Sequence, residues 1–129
     1  MIMAATRGKL CELLAQAANP RRLSKSDTAF TVGVLSLTDA LFNIDVADIV
    51  EQIGVSLEIR EALLSRTGFF GNLLRLVEYS ENPDSFDLQL LNQLLGKLQL
   101  SREAYYRAQK EAFDWGGSIS VNMSNESIP

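Results

Sequence analysis

A chain of 129 residues with a formal net charge of −4, one cysteine and no histidine excludes several chemistries before any pattern is read. Without histidine there is no Ser-His or Cys-His nucleophilic pair, and one thiol cannot assemble a zinc-type site or an internal disulfide. No apolar run reaches the ~20 residues that cross a bilayer, the segment Met1 to Leu10 lacks the apolar core of a signal peptide, and the acidic balance disfavours nucleic acid; the expected setting is the cytoplasm, with no membrane and no nucleic-acid partner.

Helix start and stop signals divide the chain into about seven short helices, with strand signals nearly absent, so the expected fold is an all-α bundle. A first helix from Met3 to Ala18 aligns Leu10, Leu13, Leu14 and Ala17 and ends at Asn19-Pro20. Cys11 lies in that pattern and reads as a small buried hydrophobe. Ser26 or Asp27 caps a second helix, Thr28 to about Phe42, which is apolar around most of its circumference and therefore central. Asp45 caps a third helix with Val46, Ile49, Val50 and Ile53 inward, closed by Gly54. Ser56 caps a fourth, Leu57 to about Arg66, ended by Gly68. A fifth runs from Phe69 to Ser80 with Phe70, Leu73, Leu74 and Val77 aligned, and Asn82-Pro83 breaks it. Asp84 or Ser85 caps a sixth, whose Leu88, Leu91, Leu95 and Leu98 suit lengthwise packing on a neighbour. Ser101 caps a seventh, with Tyr105, Ala108, Ala112 and Trp115 on one side and Gly116-Gly117 as its stop. Ser118 to Pro129 reads as a disordered or extraneous tail, leaving one helical domain over residues 1–117 and a tail over 118–129.

Charge is uneven: residues 1–25 carry a net +4 and the remainder −8. The basic start, with Arg7, Lys9, Arg21 and Arg22, is a surface for an acidic partner. Aromatic residues beyond one stripe per helix supply further contact candidates, namely Phe69, Phe70, Tyr106, Phe113 and Trp115. Gly68-Phe69-Phe70-Gly71 is too bulky for a phosphate loop and reads as a turn with a hydrophobic anchor. An all-carboxylate metal site is formally available from Asp39, Asp45 and Asp48, although Asp45 is better explained as a cap and Asp48 as a first-turn acid. Glu58 and Glu61 share a helix face, as exposed acids commonly do. The segment Leu91 to Phe113 has the outline of a helix-turn-helix, but its turn lacks glycine and Glu103, Glu111 and Asp114 dilute the basic face.

The runs Gly8 to Ala15, Thr28 to Leu41, Ile59 to Leu64 and Gly68 to Gly71 together resemble the HDOD domain, specifically that of bacterial proteins joining it to an EAL-type cyclic di-GMP phosphodiesterase domain. The resemblance spans about residues 5–117 and rests on the succession of motifs. It implies the helical fold of the HD phosphohydrolases, whose His-Asp pair binds metal within the pattern A-F-x-x-G-L-L-H-D. Here Ala29, Phe30, Gly33, Val34 and Leu35 match, and Ser36-Leu37 stands where the pair would be. Serine is a weak metal ligand and leucine is none, so the resemblance implies a scaffold without catalysis, metal or cofactor, and Leu37 reads as core. It further implies that the chain is the C-terminal portion of a larger signalling protein. Its partners would then be an upstream EAL-type domain, another signalling protein or a second copy, the last through a face of the first helices. Arg7, Arg21, Arg22, Phe69, Phe70 and Trp115 are the expected contact residues. Two other functions compete with this one: a divergent phosphohydrolase using carboxylate-bound metal, and a DNA-binding regulator reading through Ser101 to Phe113.

Overall fold

Proline has no amide hydrogen and crowds the turn before it, so α1 (Ile2–Ala18) stops ahead of Asn19-Pro20. Arg22 N–H then donates to Asn19 O at 3.1 Å, and the chain reverses at once into α2 (Leu23–Leu35). The computed structural model describes residues 2–37, 45–82 and 87–126. It continues through α3 (Val46–Ile53), α4 (Leu57–Ser65), α5 (Gly68–Ser80), α6 (Leu88–Leu98) and α7 (Arg102–Glu126), with no strand among the described residues. The all-α class expected from periodicity is the class observed.

The α1–α2 hairpin is lined by small residues from both sides. On α1 the face of Gly8 also carries Ala4, Cys11 and Ala15, all buried, and on α2 the run Ser26, Ala29, Gly33, Ser36 is buried at spacings of three and four. Glycine meets glycine at the crossing: a Cβ on Gly33 would lie 2.7 Å from Gly8 Cα and 3.0 Å from the Arg7 carbonyl oxygen. Backbone atoms cannot swing aside as a flexible side-chain tip can, so this approach requires glycine. The buried serines are satisfied within their own helix, Ser26 Oγ donating to Leu23 O and Ser36 Oγ to Gly33 O, each at 2.6 Å.

This packing revises the expected faces. Leu10 and Leu14 are buried, but Leu13 is half-buried and Ala17 exposed. The reason is that α1 packs on α2, α7 and α5 together, so no single stripe describes it. The second helix starts five residues before Thr28, with Arg22 as its N-cap and no side-chain cap bond; Ser26 and Asp27 lie inside it. The turn made at Pro20 leaves no slack for a later start. The helix also ends earlier than expected, at Leu35 with Ser36 as its C-cap; Phe42 itself lies outside the described residues.

Caps read from sequence hold where their chemistry is local. Asp45 accepts from Ala47 N–H at 3.0 Å, Ser56 from Ile59 N–H at 3.4 Å and Ser101 from Ala104 N–H at 3.1 Å, and Gly54 closes α3 at φ 69°. Two stops differ. Arg66, not Gly68, ends α4 at φ 55°, its guanidinium bonding Leu63 O and pairing with Glu78. Gly116-Gly117 does not stop α7, which continues through both glycines to Glu126, past the boundary expected at residue 118. Gly116 is instead a point of close approach, since a Cβ there would collide with the Thr6 hydroxyl of α1. Asp87 caps α6, accepting from Gln89 and Leu90 N–H; Asp84 and Ser85 lie outside the described residues.

The largest fully buried side chains are Leu14 on α1, Leu73, Leu74 and Leu76 on α5, and Leu91 and Leu94 on α6. α5 is the second hub, touching α1, α2, α4 and α6. Two glycine substitutions test the role of the crossing. Gly33→Ala is expected to lose about 2 kcal/mol in urea unfolding through backbone overpacking. Gly96→Ala, with open space around it on α6, is expected to gain about 0.5–1 kcal/mol from helix propensity.

Candidate functional site

Arg7 precedes Gly8 on α1, so the close approach of α2 brings Ser36, the C-cap of α2, within its reach. Arg7 Nη1 donates to Ser36 Oγ at 2.9 Å. The other edge of the guanidinium grips Glu81, the C-cap of α5, with Nε donating to Oε2 at 2.9 Å and Nη2 to Oε1. This is the bidentate fork that arginine makes with a carboxylate. One side chain thus fastens the ends of α2 and α5 to α1. Burial pulls the Arg7 pKa down, but the hydrogen bond and charge of Glu81 outweigh it and the net shift is upward.

A cleft of about 400 Å³ opens beside the pair, between α1, the end of α5 and α7. Arg7 and Glu81 line it with Ser80 and Gln109; Leu10 and Ala112 supply buried apolar wall, and Phe113, 78% exposed, lies at its rim. A second cavity of about 200 Å³ shares Ser80 and Gln109 and adds Tyr79, Tyr105 and Tyr106. Burial pushes the Tyr105 hydroxyl up to about 12. Behind Arg7, Cys11 is 1% exposed, and burial raises its thiol to about 12 despite the opposing pull of Arg7. A thiol so held is inert core, as the sequence suggests.

The contact residues named from sequence separate into three groups. Arg7 is engaged in the fork described above, its side chain 9% exposed. Arg21 and Arg22 are exposed in the α1–α2 turn beside Leu23, itself 62% exposed, at the opposite end of α1 and roughly 20 Å from Arg7 by helical rise. The aromatics mostly serve packing. Phe70 is in the core, so its expectation as a contact residue is corrected. Phe69 is half-buried against Phe70 with Lys25 Nζ 4.9 Å from its ring. Trp115 makes an edge contact with Phe30 at 6.4 Å under Lys9, and so seats α7 on the hairpin. Among the described residues, Phe113 and Tyr106 are the exposed aromatics.

Ser36 is buried in the Arg7 network and Leu37 is half-buried rather than fully core. Asp45 is engaged as a cap, Asp48 is exposed and Asp39 lies outside the described residues; among those described, no three His, Cys, Asp or Glu side chains gather as metal ligands. In the helix-turn-helix outline, Tyr105 and Ala108 are buried and Arg102 is bonded to Asn92 at 2.9 Å. Glu58 and Glu61 line a separate cavity with Lys25. Sequence patterning did not select Ser80, Glu81 and Gln109. One signal for Glu81 was present, because a carboxylate at a helix C-terminus opposes the dipole and calls for a cation.

No family model matches the chain, and no solved structure matches it. It is 31% identical over 111 residues to the uncharacterized protein YuxH of Bacillus subtilis, covering 84% of this chain and 25% of that protein. It is 32% identical over 78 residues to the cyclic di-GMP phosphodiesterase CdgJ of Vibrio cholerae, covering 60% of this chain and 18% of that protein. The chain therefore spans a quarter or less of the length of these relatives. Its similarity reaches a protein of cyclic di-GMP signalling. Among the described residues, no helix is long and apolar enough to cross a membrane.

The buried thiol and phenol give a pH dependence of known sign. Cys11 is raised from 9.0 and Tyr105 from 10.0, each to about 12. The unfolded chain therefore releases these protons first, and stability is expected to fall as pH rises from about 9 towards 12. Urea midpoints across that range measure it. Native Cys11 is expected to react with a disulfide-exchange reagent only at the rate of opening or unfolding.

Proposed function

We propose that this chain is a non-catalytic regulatory module of a cyclic di-GMP signalling protein, built on an HDOD-type scaffold and acting through protein contacts. The observation that carries the reading is the state of Ser36, which stands where the resemblance puts a metal-binding histidine. Ser36 accepts a hydrogen bond from Arg7, and Arg7 in turn holds Glu81. A guanidinium fixed on the chain thus takes the carboxylate that a divalent cation would seek there, and cation binding would require displacing a partly buried positive charge. The similarity to the Vibrio phosphodiesterase supports the signalling setting. Exposed Arg21, Arg22 and Leu23 form a basic surface with an apolar centre, suited to an acidic face of an EAL-type domain in the same polypeptide or of another signalling protein.

Charge reversal of that surface tests the proposal in the full-length protein. Arg21→Glu with Arg22→Glu is expected to change phosphodiesterase activity or oligomeric state by threefold or more, while helicity by circular dichroism stays constant. Unaltered activity and assembly would refute the contact. In calorimetric titration with magnesium and manganese, Glu81→Gln is expected to leave the isotherm of the full-length protein unchanged; a saturable component lost in Glu81→Gln would favour a metal-dependent enzyme in this chain instead.

A further inference from the structure

Glu81 occupies an unfavourable place for a carboxylate. It caps the C-terminus of α5, where the last carbonyls point outward. The hydrogen-bond partner of its carboxylate among the described residues is Arg7. The two members are not equally fixed: the Arg7 side chain is 9% exposed and that of Glu81 is 35% exposed. Arg7 is also anchored to Ser36, so Glu81 is the member that can leave. Beside the pair lies the cleft of about 400 Å³, within the ~300–1,000 Å³ usual for small-molecule sites.

We propose that this cleft binds a small organic anion, a phosphate or carboxylate on an apolar body, whose anionic group takes the Arg7 fork from Glu81. The exchange leaves the partly buried guanidinium paired throughout and sends to water a carboxylate that already touches it. The apolar body lies against Leu10, Ala112 and Phe113, while Gln109 and Ser80 offer neutral hydrogen bonds. Glu81 is then an internal stand-in for the ligand. Its release unfastens the end of α5 from α1 and leaves the Arg7–Ser36 bond in place, so occupancy of the cleft is transmitted to the α5 terminus. The proposal does not depend on the contact function above, because the cleft lies at the other end of α1 from Arg21 and Arg22.

Phenyl phosphate is the probe, titrated into the full chain by calorimetry and by the fluorescence of Trp115, the single tryptophan, two residues beyond Phe113. Saturable binding is expected, tightened about threefold or more in Glu81→Gln, which removes the competing charge, and weakened about tenfold in Arg7→Gln. Benzyl alcohol and inorganic phosphate, each lacking half of the recognised chemistry, are expected to bind at least tenfold more weakly. Affinity unchanged or weakened in Glu81→Gln, equal affinity for inorganic phosphate, or no binding of phenyl phosphate up to about 10 mM would overturn the proposal. Should Arg7→Gln fail to fold, the comparison of wild type with Glu81→Gln decides alone.

Discussion

The contact on which the structure depends is the backbone approach of Gly8 and Gly33. A glycine inside a helix costs about 1 kcal/mol relative to alanine, and here one stands on each partner at the point where they cross. The packing around it offsets that cost: Ala4, Cys11 and Ala15 on one side and Ser26, Ala29 and Ser36 on the other are buried, and both serine hydroxyls are hydrogen-bonded. A larger residue anywhere in this seam would lift α2 away from α1. Because α2 lies so near, its end at Ser36 falls beside Arg7, and the same guanidinium reaches Glu81 at the end of α5.

That arrangement gives the functional reading its physical content. A guanidinium offers charge and directed donors but no open coordination position, so it can bind an anion yet cannot lower the pKa of a bound water as a metal does. A scaffold whose cation is part of its own chain is suited to holding and sensing. The proposed regulatory role and the proposed anion site both draw on this property. They use separate surfaces, one at the α1–α2 turn and one at the far end of α1.

Much of the local structure was legible in the sequence because its causes are local. Asp45, Ser56 and Ser101 cap helices through bonds spanning two or three residues, and Pro20 ends α1 by its own ring. What depends on distant neighbours was not legible. Glu81 lies 74 residues from Arg7, so the pair has no spacing to recognise, and Arg7 looks like any member of a basic surface. Gly116 illustrates the same limit: a glycine pair after an apolar stripe reads as a helix stop, and only the position of Thr6 shows that it makes room for α1. The stripe on α1 was misplaced because the rule assumes one buried side, whereas α1 is covered by three helices.

The fixed pairing of Arg7 with Glu81 is tested most directly by a double-mutant cycle in urea unfolding, using Arg7→Met, Glu81→Gln and the double variant. A coupling free energy of about 1–2 kcal/mol is expected, towards the lower figure because Glu81 is partly exposed to solvent. Coupling within about 0.3 kcal/mol of zero would contradict a fork that fastens the end of α5 to α1.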